Sequence, residues 1–216
     1  MTNQKKAFLV IGVTGIIGSG KSTVSRFLEE KGARVINTDV LARQLMEKSE
    51  PIRKRIQKDF GDESYTKQGR LNAQKIASMV FQNSEALSRL NAIVHPEVIR
   101  SVRDEVRRLA QADFHGILIV DAPLIFETGL SGVMDEIVVV AASEEVCIKR
   151  VMKRSGLSAE EVRARMENQW PLEKKIVLAD RVIWNDGSLE QLKEQVEKIY
   201  QEWQKRIQWE NDAQIL

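Results

Sequence analysis

One cysteine, Cys147, stands in 216 residues, so no disulfide can close within the chain. The paired Cys/His spacings of zinc sites are missing too, which points to a reducing compartment and predicts a cytoplasmic protein. Neither sign of charge prevails: 33 basic residues are set against 31 acidic ones, a net charge of +2. That balance excludes a binder held to nucleic acid by a general positive field. Long apolar runs are absent; the longest, ILIV and IVVVAA, are strand-sized, well short of the roughly 20 residues that span a bilayer. The opening MTNQKKAF lacks the apolar stretch of an export signal. No repeat, low-complexity tract or proline-rich linker suggests tethered domains. The expectation is a soluble, unexported single domain, a monomer or weak homo-oligomer, with neither a membrane nor a nucleic acid as partner.

What is present is a succession of short Val/Ile-rich segments separated by helical ones. Strands are predicted at Phe8 to Val13, Arg34 to Asn37, Ile117 to Ala122, Ile137 to Ala142 and Arg181 to Trp184. The central ones are nearly continuously apolar, as in parallel strands buried on both faces. This predicts an α/β fold: a five-stranded parallel sheet flanked by helices. About eighty residues between the second and third strands read as helical, far more than one crossover needs, so an insertion is expected there. Pro96 fits the first position of a helix whose Val98, Val102, Val106 and Leu109 share a buried face. Near the C-terminus Leu189, Leu192, Val196, Ile199, Trp203 and Ile207 make a similar stripe, read as packing.

The stretch GVTGIIGSGKST, residues 12 to 23, follows the first strand and enters a helix near Lys21. Gly15, Gly20, Lys21 and Ser22 satisfy the phosphate-loop pattern G-x-x-x-x-G-K-[ST]. A glycine-rich turn lets successive backbone N–H groups point inward at a polyphosphate, and the helix adds the positive end of its dipole. Lys21 then contacts the terminal phosphates as a point charge, and the Ser22 hydroxyl completes the shell of a Mg²⁺ that keeps most of its waters. Gly15, Ile17, Gly18, Ser19, Gly20, Lys21, Ser22 and Thr23 are therefore the candidate ATP-binding residues of the loop. The pattern leaves hydrolysis, switching and phosphoryl transfer open.

Other residues bear on that choice. Asp39 stands where the second strand hands over to a helix, with Arg43 one turn on. Its carboxylate either accepts the proton of an attacking hydroxyl or caps the helix. Asp121 ends the third strand, as a Mg²⁺ carboxylate does, or else belongs to the turn before Pro123. Glu127 farther along faces substrate or solvent. Arg150 and Arg154 are four apart on one helix face; Gly156 can end that helix, and Ser158 with Glu161 can cap the next. With Arg163 and Arg165 they form either a lid over bound nucleotide, excluding water and stabilising the transferring charge, or a solvated basic face.

The segments GVTGIIGSGKST, VINTDVLAR, IVHP, APLIFETGL, KRVMKRSGLSAEEVRARMENQ and ADRVIWNDG occur in the order found in dephospho-CoA kinases, and over nearly the whole chain the sequence resembles that family. The resemblance implies a phosphate-loop nucleotide-binding fold, with core residues about 7–38, 110–145 and 176–210, a helical acceptor-binding region about 39–109 and a lid about 146–175. It implies transfer of phosphate from ATP, with Mg²⁺, to the ribose 3′-hydroxyl of dephospho-coenzyme A. It makes Asp39 the general base, Lys21 the phosphate clamp, and Arg150, with Arg154, the lid cation at the transferring group. Asn185 and Gly187 match the turn against the adenine; Thr14, Asp39, Arg43, His95, Pro123 and Leu124 are implied on the acceptor side, and Ser22 and Asp121 at the metal. Two positions depart from the family: Ile16 replaces a glycine of TGGIGSGKS, and Asn37 replaces the first carboxylate of DAD. Competing readings are another phosphate-loop small-molecule kinase and a nucleotide-dependent binding switch.

Overall fold

The computed structural model describes residues 8–80 and 83–212. In chain order the elements are β1 (Phe8–Thr14), α1 (Lys21–Glu30), β2 (Arg34–Asn37), α2 (Thr38–Lys48), α3 (Glu50–Phe60), α4 (Ala73–Val80), α5 (Ser84–Gln111), β3 (Gly116–Asp121), β4 (Glu136–Ala141), α6 (Glu144–Ser155), α7 (Ala159–Met166), α8 (Leu172–Leu178), β5 (Arg181–Trp184) and α9 (Leu189–Asp212). All five predicted strands are present, each within a residue or so of its expected ends. They form one sheet in the order β2-β3-β1-β4-β5, with β1 parallel to β3 and to β4, and β4 parallel to β5. The described residues make two compact units, one of residues up to Ile36 and from Val106 onward, the other Asn37–Glu105.

The first unit is built on the sheet. Alternate side chains Leu9, Ile11 and Val13 of β1, with Ile117, Ile119, Val138, Val140 and Ile183 of its neighbours, are buried with Val24, Phe27 and Leu28 of α1 and Leu192, Val196, Ile199, Trp203 and Ile207 of α9. The intervening residues Val10, Leu118, Val120 and Val139 are fully buried as well, which is why these strands read as continuous apolar runs. Leu189 corrects the predicted α9 stripe: it opens the helix and is 47% exposed, and the buried face begins at Leu192. The stripe's Trp203 is 1% exposed, and its indole N–H donates to Glu136 Oε1 at 2.9 Å, the partner a buried indole requires. Edge strand β5 is covered by one side chain: Gln195 Oε1 accepts from Trp184 N at 3.0 Å and Gln195 Nε2 donates to Trp184 O at 2.8 Å, so the amide stands in for a neighbouring strand.

The second unit is the helical insertion the sequence predicts. Ile52, Ile56 and Phe60, one turn apart on α3, pack with Tyr65, Ile76, Leu90, Ile93, Val94 and Val98 in its core. Tyr65 donates to Met46 O at 2.8 Å, and burial pushes its phenol up to about 12. Pro96 is a correction. It does not open a helix but lies inside the 28-residue α5. A proline there has no N–H to donate to the carbonyl of Ala92 and costs on the order of 3 kcal/mol. The apolar face runs through it regardless, with Ile93 and Val94 buried before it and Val98, Val102, Val106 and Leu109 after, and that burial outweighs the break.

Candidate functional site

Strand order places a crevice at the carboxyl end of β1, where its neighbours β3 and β4 lead away on opposite sides, the position at which open α/β sheets bind ligands. The loop of residues 15–20 fills it. Gly15 has φ 149°, and a Cβ there would stand 2.3 Å from the carbonyl oxygen of Val140. Gly20 has φ 101°, and its Cβ would meet Asn185 Nδ2 at 2.1 Å, so both positions need the absence of a side chain for space as well as for backbone angle. Ile16, the departure from the family pattern, has no left-handed backbone to accommodate. Its side chain is 8% exposed and packs with Ala142 and Cys147, so it anchors the loop.

Gly20 is the N-cap of α1 and no side chain caps that helix. Among the described residues the backbone N–H groups of Gly18, Gly20 and Ser22 have no protein acceptor, whereas Ser19 N donates to Ile16 O at 3.1 Å and Thr23 N to Gly20 O at 2.9 Å. Ile17 N donates to Gln169 Oε1 at 2.9 Å, so this N–H already has a protein acceptor. Ser19 Oγ is buried without a hydrogen-bond partner. Such a collection of open donors beside a helix N-terminus suits an anion.

The segment of α6 and α7, expected from the sequence as a lid, packs on this loop through Ile17. Gly156, at φ 68°, ends α6 in the left-handed conformation, and Ser158 with Glu161 forms a reciprocal capping box at the start of α7, as the sequence predicts. Ile148, Val151 and Val162 form a buried cluster against which Ile17, Leu157 and Met166 pack. Nη1 of Arg150 is buried with no hydrogen-bond partner. Burial raises the Cys147 thiol to about 11, opposed by the positive charges of Arg150 and Lys21, so both cations lie within electrostatic reach of that one residue. The other lid arginines differ. Arg154 is exposed, Arg163 pairs with Glu144 at 3.5 Å, and Arg165 is exposed. Of the four, Arg150 has a buried nitrogen without a partner and acts, together with Lys21, on the ionisation of Cys147.

Behind the loop, Asn185 is 7% exposed; its backbone N–H donates to Ala141 O and its Nδ2 to Ser19 O, both at 2.7 Å. Its amide therefore braces the phosphate loop. Asp186 Oδ1 accepts from Ser143 N at 2.8 Å, and that hydrogen bond holds the carboxyl below its ordinary range, with a lesser contribution from Arg150. Gly187 lines a shallow groove of about 470 Å³ with Trp184, Asp186, Gln191 and Lys198.

On the other side of β1, Asp121 is 4% exposed and stands in register with Val13, one residue before Thr14. Thr14 Oγ1 donates to Pro123 O at 3.2 Å, and Leu124 O accepts from the Thr128 hydroxyl at 2.7 Å. Glu127 is part-buried, with its side chain 14% exposed: it pairs with Lys175 Nζ at 2.7 Å and accepts from Trp170 N at 2.9 Å, while its Oε2 is buried without a hydrogen-bond partner. Lys175 has no place in any quoted motif, and Gln169 closes the segment KRVMKRSGLSAEEVRARMENQ without a role read for it from the sequence. The trace of Lys175 in the sequence is a lysine inside the apolar-flanked KKIVL.

The second unit holds Asp39, Arg43 and His95. Asn37, not Asp39, is the N-cap of α2: its Oδ1 accepts from Asp39 N at 3.1 Å and from Val40 N at 3.0 Å. The capping alternative for Asp39 is thereby overturned, because an N-cap oxygen must precede the helix it caps. Asp39 and Arg43, one turn apart on α2, are exposed. His95 is half-buried, and burial lowers its imidazole below 6.5.

Among the described residues no three His, Cys, Asp or Glu side chains gather to hold a metal ion by themselves. An ion that keeps its waters and is carried in by phosphates needs few protein ligands, and a hydroxyl and a carboxylate such as those of Ser22 and Asp121 are of the right chemistry for it. No helix among the described residues is long and apolar enough to cross a membrane.

The family model for dephospho-CoA kinase matches residues 9–191. A dephospho-CoA kinase of Carboxydothermus hydrogenoformans is 42% identical over 194 residues, 90% of this chain and 94% of its own, and one of Bacillus cereus is 40% identical over 198 residues, 90% and 97%. Among solved structures, a Thermus thermophilus protein aligns with a TM-score of 0.73 at 39% identity over 90% of this chain and 97% of its own; a dephospho-CoA kinase from Campylobacter jejuni gives 0.68 at 26% over 90% and 96%. A shikimate kinase of Bacteroides thetaiotaomicron, 13% identical with a TM-score of 0.51 over 88% and 96%, shares the fold alone. Phosphate loop, five-stranded sheet and sequence relatives all converge, and the chain belongs to the dephospho-CoA kinase family.

Proposed function

We propose that this chain transfers the terminal phosphoryl group of ATP to the ribose 3′-hydroxyl of dephospho-coenzyme A, giving coenzyme A and ADP, and that it does so in the cytoplasm. One observation carries the reading beyond family membership: the phosphate loop holds open N–H groups at Gly18, Gly20 and Ser22, with the buried, partnerless Ser19 Oγ and Arg150 Nη1 in the loop and the lid packed on it. Buried donors without acceptors are costly, and a polyphosphate supplies the missing acceptors.

In this reading the loop amides and Lys21 grip the β- and γ-phosphates. Arg150 stabilises the charge that spreads over the transferring group, with Arg154 in a weaker position one turn farther out. The adenine rests against the turn of Asn185 and Gly187. Thr14, Arg43, His95, Pro123 and Leu124 are assigned to the acceptor. Asp39 takes the proton of the 3′-hydroxyl as that oxygen attacks phosphorus and the bond to the bridging oxygen of ADP breaks. Ser22 and Asp121 would hold Mg²⁺, which neutralises phosphate charge when bound. The packed lid keeps water from competing with the alcohol.

The test is ADP release with dephospho-coenzyme A as sole acceptor, alongside nucleoside monophosphates and shikimate. Turnover on dephospho-coenzyme A, with a product whose new phosphate is at the 3′ position by phosphorus NMR, supports the reading. Equal turnover without any acceptor, or preference for another alcohol, overturns it.

A further inference from the structure

Hydrogen bonds around the phosphate loop close on themselves through two residues that the proposed chemistry does not use. Thr14, the last residue of β1, donates its hydroxyl to Pro123 O at 3.2 Å. The same carbonyl accepts from Lys175 Nζ at 2.7 Å. Lys175 is ion-paired with Glu127 Oε1 at 2.7 Å, and that oxygen also accepts from Trp170 N at 2.9 Å. The residue before Trp170 is Gln169, whose Oε1 accepts from Ile17 N at 2.9 Å, back in the loop. The circuit thus leaves the phosphate loop at its first end, crosses the segment after β3, enters the chain that follows the lid, and returns three residues from where it began.

Lys175 is the hub. Its side chain has no solvent exposure, and Glu127 is only 14% exposed. Taking a lysine wholly out of water for a single pair is not a cheap way to stabilise a fold; an apolar pair of similar volume does so as well or better. What the ion pair adds is a polar cross-link between specific atoms of two segments. One ammonium bonds Pro123 O and Glu127 Oε1 together, so it ties these two acceptors to each other and, through them, ties Thr14 to Gln169. A neutral, well-packed substitute would hold the segments together without joining these particular atoms.

We propose that Lys175 and Glu127 are positioning residues for phosphoryl transfer, locking the Pro123–Leu124 segment and the exit of the lid onto the phosphate loop so that its donors are preset before ATP arrives. They touch no reacting atom and act through Thr14 and Gln169. The proposal rests on the kinase reading above, since what is positioned is a phosphate site.

The test uses the full chain with Glu127→Gln, Lys175→Met, Gln169→Leu and the double Gln169→Leu/Lys175→Met. Glu127→Gln keeps shape and an acceptor oxygen while removing the charge, so it is informative even where Lys175→Met fails to fold. Each single variant is expected to lower kcat by between about tenfold and a hundredfold, with KM for both substrates changed by less than about threefold. The double variant is expected to lose no more than the worse single one, because both cut one circuit. Hydrogen exchange at the Ile17 amide, read without substrates, is expected to quicken at least about tenfold in Glu127→Gln. A fall in melting temperature with unchanged kcat in the folded enzyme, additive losses in the double variant, or an unaltered Ile17 amide would each overturn the proposal. Should the wild-type chain not phosphorylate dephospho-coenzyme A at all, the kinase reading fails, and the Ile17 exchange rate still judges the circuit by itself.

Discussion

Asn37 Oδ1 accepts the backbone N–H of Asp39 at 3.1 Å, so the residue that replaces the family's first carboxylate caps α2 and leaves the second carboxylate free of that duty. Among the described residues the Asp39 carboxylate makes no hydrogen bond or ion pair, which leaves it open for the base role proposed above. Asp39→Asn is expected to lower kcat by about 10²–10⁴ with the ATP dissociation constant within about threefold of wild type. Asn37→Asp, which caps equally well, should leave kcat within about twofold. Single-turnover kinetics and calorimetric ATP titration check both; an active Asp39→Asn enzyme would move the proton to another acceptor.

Arg150 and Arg154 share one face of α6 yet differ in surroundings: Arg150 has a buried nitrogen without a partner, and Arg154 is exposed. Arg150→Ala should lower kcat by about 10²–10³, the range for removing one donor aimed at developing charge. Arg154→Ala should cost less than about tenfold, because an exposed guanidinium works in high dielectric. Steady-state kinetics on the two variants side by side separates them. Equal losses would place both arginines at the transferring group.

The strands were legible because parallel strands buried on both faces leave an unmistakable apolar run, as Ile117–Val120 and Ile137–Ala141 do, and the phosphate loop because its glycines answer steric needs local to the loop. Gly156, Ser158 and Glu161 were legible for the same reason: a cap is written within four residues. Pro96 misled because a local rule for proline was outvoted by burial on both sides of it. The pairing of Glu127, Lys175 and Gln169 was opaque for a different reason, even though Glu127 and Gln169 stand within segments that carry the family resemblance. Their partners lie 48, 52 and 152 positions away, as the pairs Glu127–Lys175, Pro123–Lys175 and Ile17–Gln169 show, and no local pattern records a contact of that range.

His95, half-buried on α5, is held below 6.5 by desolvation, so the unfolded chain takes up its proton at a higher pH than the folded one. Protonation therefore favours unfolding. The stability tied to neutral His95 is complete above 6.5 and drains away as the pH falls through the lower folded value. His95→Gln is expected to lose less stability than wild type between about pH 7.5 and about pH 5, measured by urea unfolding at each pH. Parallel losses in the two proteins would mean that other groups set the acid limb.

Asn185 and Gly20 meet where the phosphate loop is braced from behind. The Asn185 amide donates to Ser19 O at 2.7 Å, and any Cβ on Gly20 would stand 2.1 Å from that amide nitrogen. The two positions are thus one device, and it fails in two ways. Asn185→Ala leaves the buried Ser19 carbonyl without this donor, a loss of about 1–3 kcal/mol that falls on the loop's geometry as well as on global stability. Gly20→Ala keeps the amide but forces it aside, and adds the strain of a left-handed backbone. Both variants are expected to weaken ATP binding by at least about tenfold, and their combination to be less than additive, since once the amide has gone the alanine at position 20 no longer collides with it. Calorimetric titration of ATP on the two single variants and the double one reads this directly. Full additivity would show that Asn185 and Gly20 shape the phosphate site independently.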